Sequence, residues 1–217
     1  MTVYALVGDL VGSRRSASRS AAQTDLVAAL RATSALVPPV DLLEPTVGDE
    51  FQGVYADLGS ATLAALLVRL TLPPAMDARC GIGVGEREVF DAGTTPMLQD
   101  GEAWWSARAA LLALDEPTAR GRRTAYDDRH APSGAAPASL VNAFLLTRDA
   151  LVDRLNDRSR RMLRRSFEGA SQHQIAAEEE ISDSAVSQAF AKGVSAVRDA
   201  QRMLAVSSSP ARPAPPR

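Results

Sequence analysis

The stretch "RCGIGVGE", residues 79–86, constrains this chain more than any other. Cys80, Ile82 and Val84 alternate with Gly81, Gly83 and Gly85, which is the period of a β-strand. Alternate residues share one face of a strand. One face is therefore apolar and the other carries no side chain. Glycine inside a strand costs backbone entropy and contributes no packing. Three on one face mark a surface that something else approaches closely.

The rest of the chain supplies a setting for that strand. Residues 3–8, "VYALVG", form a β-branched and aromatic run, a buried strand. Ser16 or Ser18 caps a helix that reaches about Leu36 and stops at Pro38 and Pro39. "LLEPTVGDEFQGVYAD" reads as two strands joined at Gly48-Asp49, a hairpin-forming pair. Residues 59–72 are a helix apolar on nearly every side, hence buried. A further helix follows around residues 102–114. The order β-α-β-β-α-β-α fits an α/β (α+β) fold of ferredoxin-like type: an antiparallel sheet with helices on one face.

The length of 217 residues allows one large or two small domains. No apolar run reaches the ~18 residues that span a bilayer. The N-terminus lacks a positive n-region, so no secretion signal is expected. The single cysteine, Cys80, excludes an internal disulfide, fits a reducing cytoplasm and reads as an inert buried thiol. Charge is uneven: residues 1–149 hold 13 arginines and 18 acids, and residues 150–217 hold 11 basic and 8 acidic residues. An acidic front and a basic rear point to two modules with different partners.

In the front module Asp9 ends the first strand and Asp49 lies at the hairpin tip. This topology makes those elements neighbours, so the two acids are expected to converge. Close carboxylates need a cation or a proton between them. Oxygen ligands suit Mg²⁺ or Mn²⁺. Gly12, Ser13 and Arg14 offer amides, a hydroxyl and charge to a phosphate, and Arg79 and Arg108 would add more. Glu50 is expected to face away from Asp49 and stay outside the site. Trp104 and Trp105 read as core and rim, and His130 and His173 as surface residues.

"VGDEFQG", "YALVGDLVGSR" and "RCGIGVGE" together resemble the GGDEF and class III nucleotidyl cyclase superfamily. The arrangement most resembles the SatD family, which pairs "GDxxxSR" with "GDEFQ". The resemblance covers roughly residues 3–115, with the C-terminal module as a family accessory. It implies a palm-like fold, Asp9 and Asp49 as metal ligands with the Leu10 carbonyl nearby, and a triphosphate held by the loop after Asp9. The chain departs from active cyclases. Trp105 stands at the place of their helix asparagine and Ala109 at the place of their arginine, with Arg108 one residue away. Such a scaffold is expected to bind a nucleotide without cyclising it.

In the rear module, residues 171–193 match a helix-turn-helix pattern. Ser171 caps a short helix with Ile175 and Ala176 inward. Ser182 or Asp183 caps a second, with Val186, Phe190 and Val194 inward. Glu180 stands where the turn usually carries glycine. The upstream helix turns Met162, Leu163 and Phe167 inward and exposes Arg158, Arg161, Arg164 and Arg165. This part resembles the fourth region of sigma-70-type factors. Ser184, Ser187 and Gln188 are the expected base readers, and Lys192 with the four arginines the expected phosphate contacts. Dimerisation through a helical hairpin is the competing reading.

The expected division is a palm domain over 1–116, a loop or extra strand over 117–137, a connecting or dimerisation helix over 138–155, a helix-turn-helix domain over 156–206 and a disordered tail over 207–217. In the connecting helix, Leu140, Phe144, Leu151 and Leu155 lie at helical spacing. The expected function is a cytoplasmic, homodimeric regulator that binds double-stranded DNA and senses a nucleotide or a divalent ion. The alternative is a metal-dependent nucleotidyl cyclase or nucleotide hydrolase with a regulatory rear module.

Overall fold

The structure is a computed structural model that describes residues 1–12 and 19–207. Ser16 and Ser18, expected as helix caps, Ser13 and Arg14, expected at a phosphate, and the tail beyond Ser207 lie outside the described residues.

The front half follows the expected order: β1 (Thr2–Leu10), α1 (Arg19–Leu36), β2 (Asp41–Pro45), β3 (Glu50–Tyr55), α2 (Leu58–Thr71) and β4 (Ala78–Glu86). The strands assemble as β2-β3-β1-β4, all antiparallel, which is the ferredoxin-like order. A fifth strand, β7 (Thr124–Asp127), adds to β4 in parallel, so the sheet is mixed. It is the extra strand, one of the two readings of residues 117–137. Between them lie β5 (Glu88–Asp91) and β6 (Leu98–Asp100), an exposed hairpin, and α3 (Glu102–Leu112). Strands of four and three residues carry too little periodicity to be seen in sequence.

The hairpin turn has Gly48 and Asp49 at its centre. Glu50 N–H donates to Val47 C=O at 3.3 Å, and Gly48 takes φ +70°, open to glycine at low cost. α2 starts at Asp57, whose side chain accepts from Ser60 N–H at 2.8 Å. Leu6, Phe51, Tyr55 and Ile82 of the sheet meet Leu26 and Leu30 of α1 and Leu67 and Val68 of α2 in one core layer.

Both faces of the sheet are covered, which corrects the one-sided expectation. Val3, Ala5, Val7 and Val54 point the other way and pack against Ala103, Ala107 and Leu111 of α3. The bare face of β4 is where α3 lies. A Cβ built on Gly83 would sit 2.1 Å from Ala107 N and 2.4 Å from Ala103 O; one on Gly81 would sit 2.2 Å from Ala107 O. What approaches the glycines is a helix backbone.

The rear half consists of α4 (Ala138–Asp153), α5 (Asp157–Phe167), α6 (Gln172–Glu178), α7 (Asp183–Ala189), a widened turn at Phe190–Val194 and α8 (Ser195–Ser207). Ser171 closes a reciprocal capping box with Gln174, and Ser182 caps α7 through Ala185 N–H. Between the two helices Glu180 takes φ +53°, the one non-glycine residue with positive φ among the described residues.

The rear helices do not own a separate core. Met162, Leu163, Ile175, Val186, Phe190 and Val194 form a cluster that includes Leu66 and Leu70 of α2. α8 crosses α2 at Gly59, where an added Cβ would lie 2.4 Å from Ala205 Cα. α4 is not a free connector either. Val141 and Leu145 enter the sheet core and Val152 the rear core, whereas Leu140 is 69% exposed. Of the expected stripe, Phe144, Leu151 and Leu155 pack partly against these cores and Leu140 does not.

A buried polar network spans the junction. Asp149 accepts from Arg148, Arg69 and the amides of Arg123 and Thr124, at 2.7–3.3 Å. Arg148 also donates to Thr62 C=O, Thr124 Oγ1 and Gln201 Oε1. Sheet, α2, α4 and α8 are thereby tied around ions with no exposure to water. Among the described residues no helix is long and apolar enough to cross a membrane.

Candidate functional site

Of the two acids predicted for the front site, Asp9 sits at one end of the sheet, on the face covered by α3. In the antiparallel register Asp9 stands opposite Glu50 on one side and Arg79 on the other. Directly opposed residues of neighbouring strands carry Cβ atoms ~5 Å apart. Glu50 is therefore the cross-strand neighbour of Asp9, which corrects the expectation that it stays outside the site. The signal was available in the alternation. Phe51 and Tyr55 share the α1/α2 face, so Glu50, Gln52 and Val54 take the face of Val7 and Asp9. Asp49 is the partly buried turn residue next to Glu50.

Arg79 dominates this end. Its Nε and Nη2 donate to the two oxygens of Asp9 at 3.0 and 2.7 Å, and its Nη1 pairs with Asp115. These hydrogen bonds, Asp9's first, outweigh burial and hold the guanidinium firmly protonated. Arg108 reaches Glu50 at 3.3 Å. Of the arginines expected to meet phosphate, the two among the described residues, Arg79 and Arg108, are engaged with carboxylates of the chain itself. Leu10 closes β1 opposite Ala78, and Gly12 follows with φ +74°.

The all-oxygen donor set at Asp9 and Glu50 is of the kind Mg²⁺ or Mn²⁺ prefers. In this arrangement it does not fit such an ion, because both Asp9 oxygens already receive the Arg79 fork. Among the described residues no group of three or more His, Cys, Asp or Glu has metal-site geometry.

Beside this row, α3 and the β5–β6 hairpin enclose a cleft of about 470 Å³ whose walls include Gln52, Gln99, Trp104, Trp105 and Arg108. Trp104 is partly buried with its indole N–H unpartnered among the described residues, and Trp105 is 54% exposed. Flat rings, two amides and an arginine suit a planar heteroaromatic ligand. His130 is not a simple surface residue: its Nδ1 lies 3.0 Å from the buried Ser106 Oγ and its ring meets the edge of Trp105. Cys80 is fully buried, and burial pushes its thiol far above the ordinary range, so it is unreactive.

In the rear half, Val186 and Phe190 anchor α7 and leave Ser184, Ser187, Gln188 and Lys192 exposed. The arginines of α5 are occupied. Arg161 forks onto Glu179 at 2.8 and 2.6 Å, and Arg165 onto Glu178 at 2.7 and 2.6 Å. Arg158 lies 3.6 Å from Glu179 and Arg164 3.4 Å from Glu168. Glu178 and Glu179 thereby neutralise charge on the neighbouring helix α5. His173 lies 3.3 Å from Asp183 at the surface.

No family model and no curated protein matches the sequence. Among solved structures, the chain is similar to a bacterial light-regulated adenylyl cyclase, at 10% identity and a TM-score of 0.47 over 58% of this chain and 42% of that one. It is also similar to the monomeric guanylyl cyclase domain of the RhoGC fusion protein from the aquatic fungus Blastocladiella emersonii, at 17% identity and a TM-score of 0.41 over 51% of this chain and 74% of that one. The chain spans less than half the length of the adenylyl cyclase.

Proposed function

We propose that this chain is a DNA-binding regulator in which a palm-like front domain of SatD type senses a nucleotide, and the α6–α7 pair acts as a helix-turn-helix. The observation that carries this reading is the exposed row Ser184, Ser187 and Gln188 on α7, continued by Lys192 in the widened turn and anchored from behind by Val186 and Phe190. Short hydroxyls and a glutamine meet base edges in the major groove, and Lys192 meets phosphate. Phosphate contacts from Arg158, Arg161, Arg164 and Arg165 require these side chains to leave Glu168, Glu178 and Glu179. The four arginines are therefore secondary in this reading, and the salt slope of binding is small. A cytoplasmic homodimer is the form in which such a reader meets a two-fold operator.

Sensing is coupled to reading because α8 and α5 share their core with α2. A ligand in the cleft beside Trp104 and Gln52 acts on DNA affinity only through a difference between two states of that joint.

The test is selection from a random duplex pool, followed by fluorescence anisotropy on the selected sequence. Gln188→Ala is expected to weaken binding about tenfold or more at the selected site and to relax its sequence preference. Arg161→Ala with Arg165→Ala is expected to change the salt slope little. A protein that selects no sequence, or a Gln188→Ala variant with unaltered preference, overturns the reading.

The second reading is metal-dependent nucleotidyl chemistry, and the cross-strand pair of Asp9 and Glu50 favours it. It requires Arg79 to yield Asp9. Arg79→Met would then raise Mn²⁺ affinity, read by water-proton relaxation. An unchanged affinity removes this reading.

A further inference from the structure

The connection after α3 builds a second cleft, away from the tryptophans. Residues 113–115 and 117–119 form two 3₁₀ turns, and Arg122 N–H donates to Ala119 C=O at 3.0 Å with Gly121 at φ +81°. Leu114 and Ala119 are buried beneath, which fixes the loop to the sheet end. The cleft measures about 410 Å³, and its polar lining is Arg79, Asp115, Glu116, Arg120, Arg122 and Arg123.

The four arginines are not equivalent. Arg79 is neutralised by Asp9 and Asp115, and Arg123 Nε donates to Asp77 at 2.7 Å. These two are walls. Arg122 is half-buried, and its Nη2 donates to the neutral Asn142 Oδ1 at 3.1 Å. Asn142 is itself fixed by both backbone groups of Tyr126. The buried Nε of Arg122 meets no acceptor, and no carboxylate pairs with its charge among the described residues. Arg120 is exposed and, among the described residues, forms neither a hydrogen bond nor an ion pair. A partly desolvated guanidinium without a counter-charge, as at Arg122, is costly. With the exposed, unpaired Arg120 on the same ordered loop, it faces a cavity of ligand size and forms a charge-complementary seat for an anion.

We propose that this cleft binds a phosphate-bearing anion, with Arg120 and Arg122 as its charged ligands and Arg79 and Arg123 as its fixed walls. The proposal does not depend on DNA reading or on the tryptophan cleft. Its position does give it reach. Arg123 shares Asp77 with Arg69, and Arg69 pairs with Asp149 and Asp153, so the anion would lie one ion pair away from the network that ties α2 to α4.

Titration calorimetry on the full chain tests it, with inorganic pyrophosphate in one arm, ATP in the other and ionic strength matched with NaCl. Wild type is expected to bind pyrophosphate saturably. Arg120→Ala, whose side chain supports nothing in the fold, is expected to weaken binding several-fold. Arg120→Ala with Arg122→Gln, which keeps an amide beside Asn142, is expected to weaken it at least tenfold. Trp105→Ala, in the other cleft, is expected to leave pyrophosphate binding unchanged. Binding of ATP alone with the same dependence on Arg120 and Arg122 assigns the phosphates to a nucleotide. Absence of saturable binding of either probe overturns the proposal, as does binding that Arg120→Ala and the double variant both leave intact.

Discussion

Gly83→Ala is the sharpest perturbation the fold offers. The new methyl would meet Ala107 N at 2.1 Å, Ala103 O at 2.4 Å and Ser106 C at 2.6 Å, all backbone atoms of α3. Ordinary carbon contacts need about 3.5 Å, so the helix must retreat by more than 1 Å. A radial gap of that size forfeits up to about half of each dispersion contact it opens. Ala103 and Ala107 are fully buried in that interface and Leu111 nearly so. Overpacking alone costs ~1–3 kcal/mol, and the loosened interface places the total near the upper end, about 3 kcal/mol. That is a large fraction of a typical domain stability of ~5–15 kcal/mol. Urea unfolding followed by circular dichroism would show the midpoint fall with the slope nearly constant. Gly53→Ala is the internal control. Its methyl meets Leu43 at 3.0–3.2 Å, partly through movable side-chain atoms, so its cost should be less than half as large. A loss below about 1 kcal/mol for Gly83→Ala would refute the claim that these glycines exist to seat α3.

Three further outcomes follow from the same geometry. Glu180→Gly removes a side chain from a residue at φ +53° and should stabilise the chain by about 0.5–1 kcal/mol in the same unfolding assay; a destabilisation would mean that the glutamate makes a compensating contact. Asp149→Ala deprives two fully buried arginines of a shared carboxylate and should cost about 3–5 kcal/mol, whereas a loss under 1 kcal/mol would show the network to be dispensable. Burial pushes the Asp77 carboxyl up, but hydrogen bonds and charge from Arg69 and Arg123 outweigh it and leave it below the ordinary 3.8. A depressed carboxyl contributes stability above the unfolded value and loses it as pH falls through the folded one. Stability should therefore drop from about pH 4 downward, and Asp77→Asn should flatten that slope; an unaltered slope would assign the acid sensitivity elsewhere.

Local patterns were legible because local physics sets them. The alternation in β1 and β4, the turn at Gly48-Asp49, the caps at Ser171 and Ser182 and the inward stripes of α5 to α7 each depend on neighbours within a few residues. The exposed β5–β6 hairpin was not legible, since neither strand buries a face. Nor was the division into modules. Leu66 and Leu70 serve the rear core from a front helix, and an all-round apolar α2 is compatible with burial against any partner.

By itself, the sequence determined the ferredoxin-like order of elements, the apolar side of each strand and the bareness of the glycine face of β4. Tertiary structure alone decided what meets those surfaces. It set α3 against the glycines, Arg79 onto Asp9 across 70 residues of chain, and Glu178 and Glu179 onto the arginines of α5. The physical reason is that an ion pair or a close helix approach is a property of strand register and helix placement. A carboxylate's neighbours along the chain do not say whether a metal ion, a phosphate or an arginine will answer its charge.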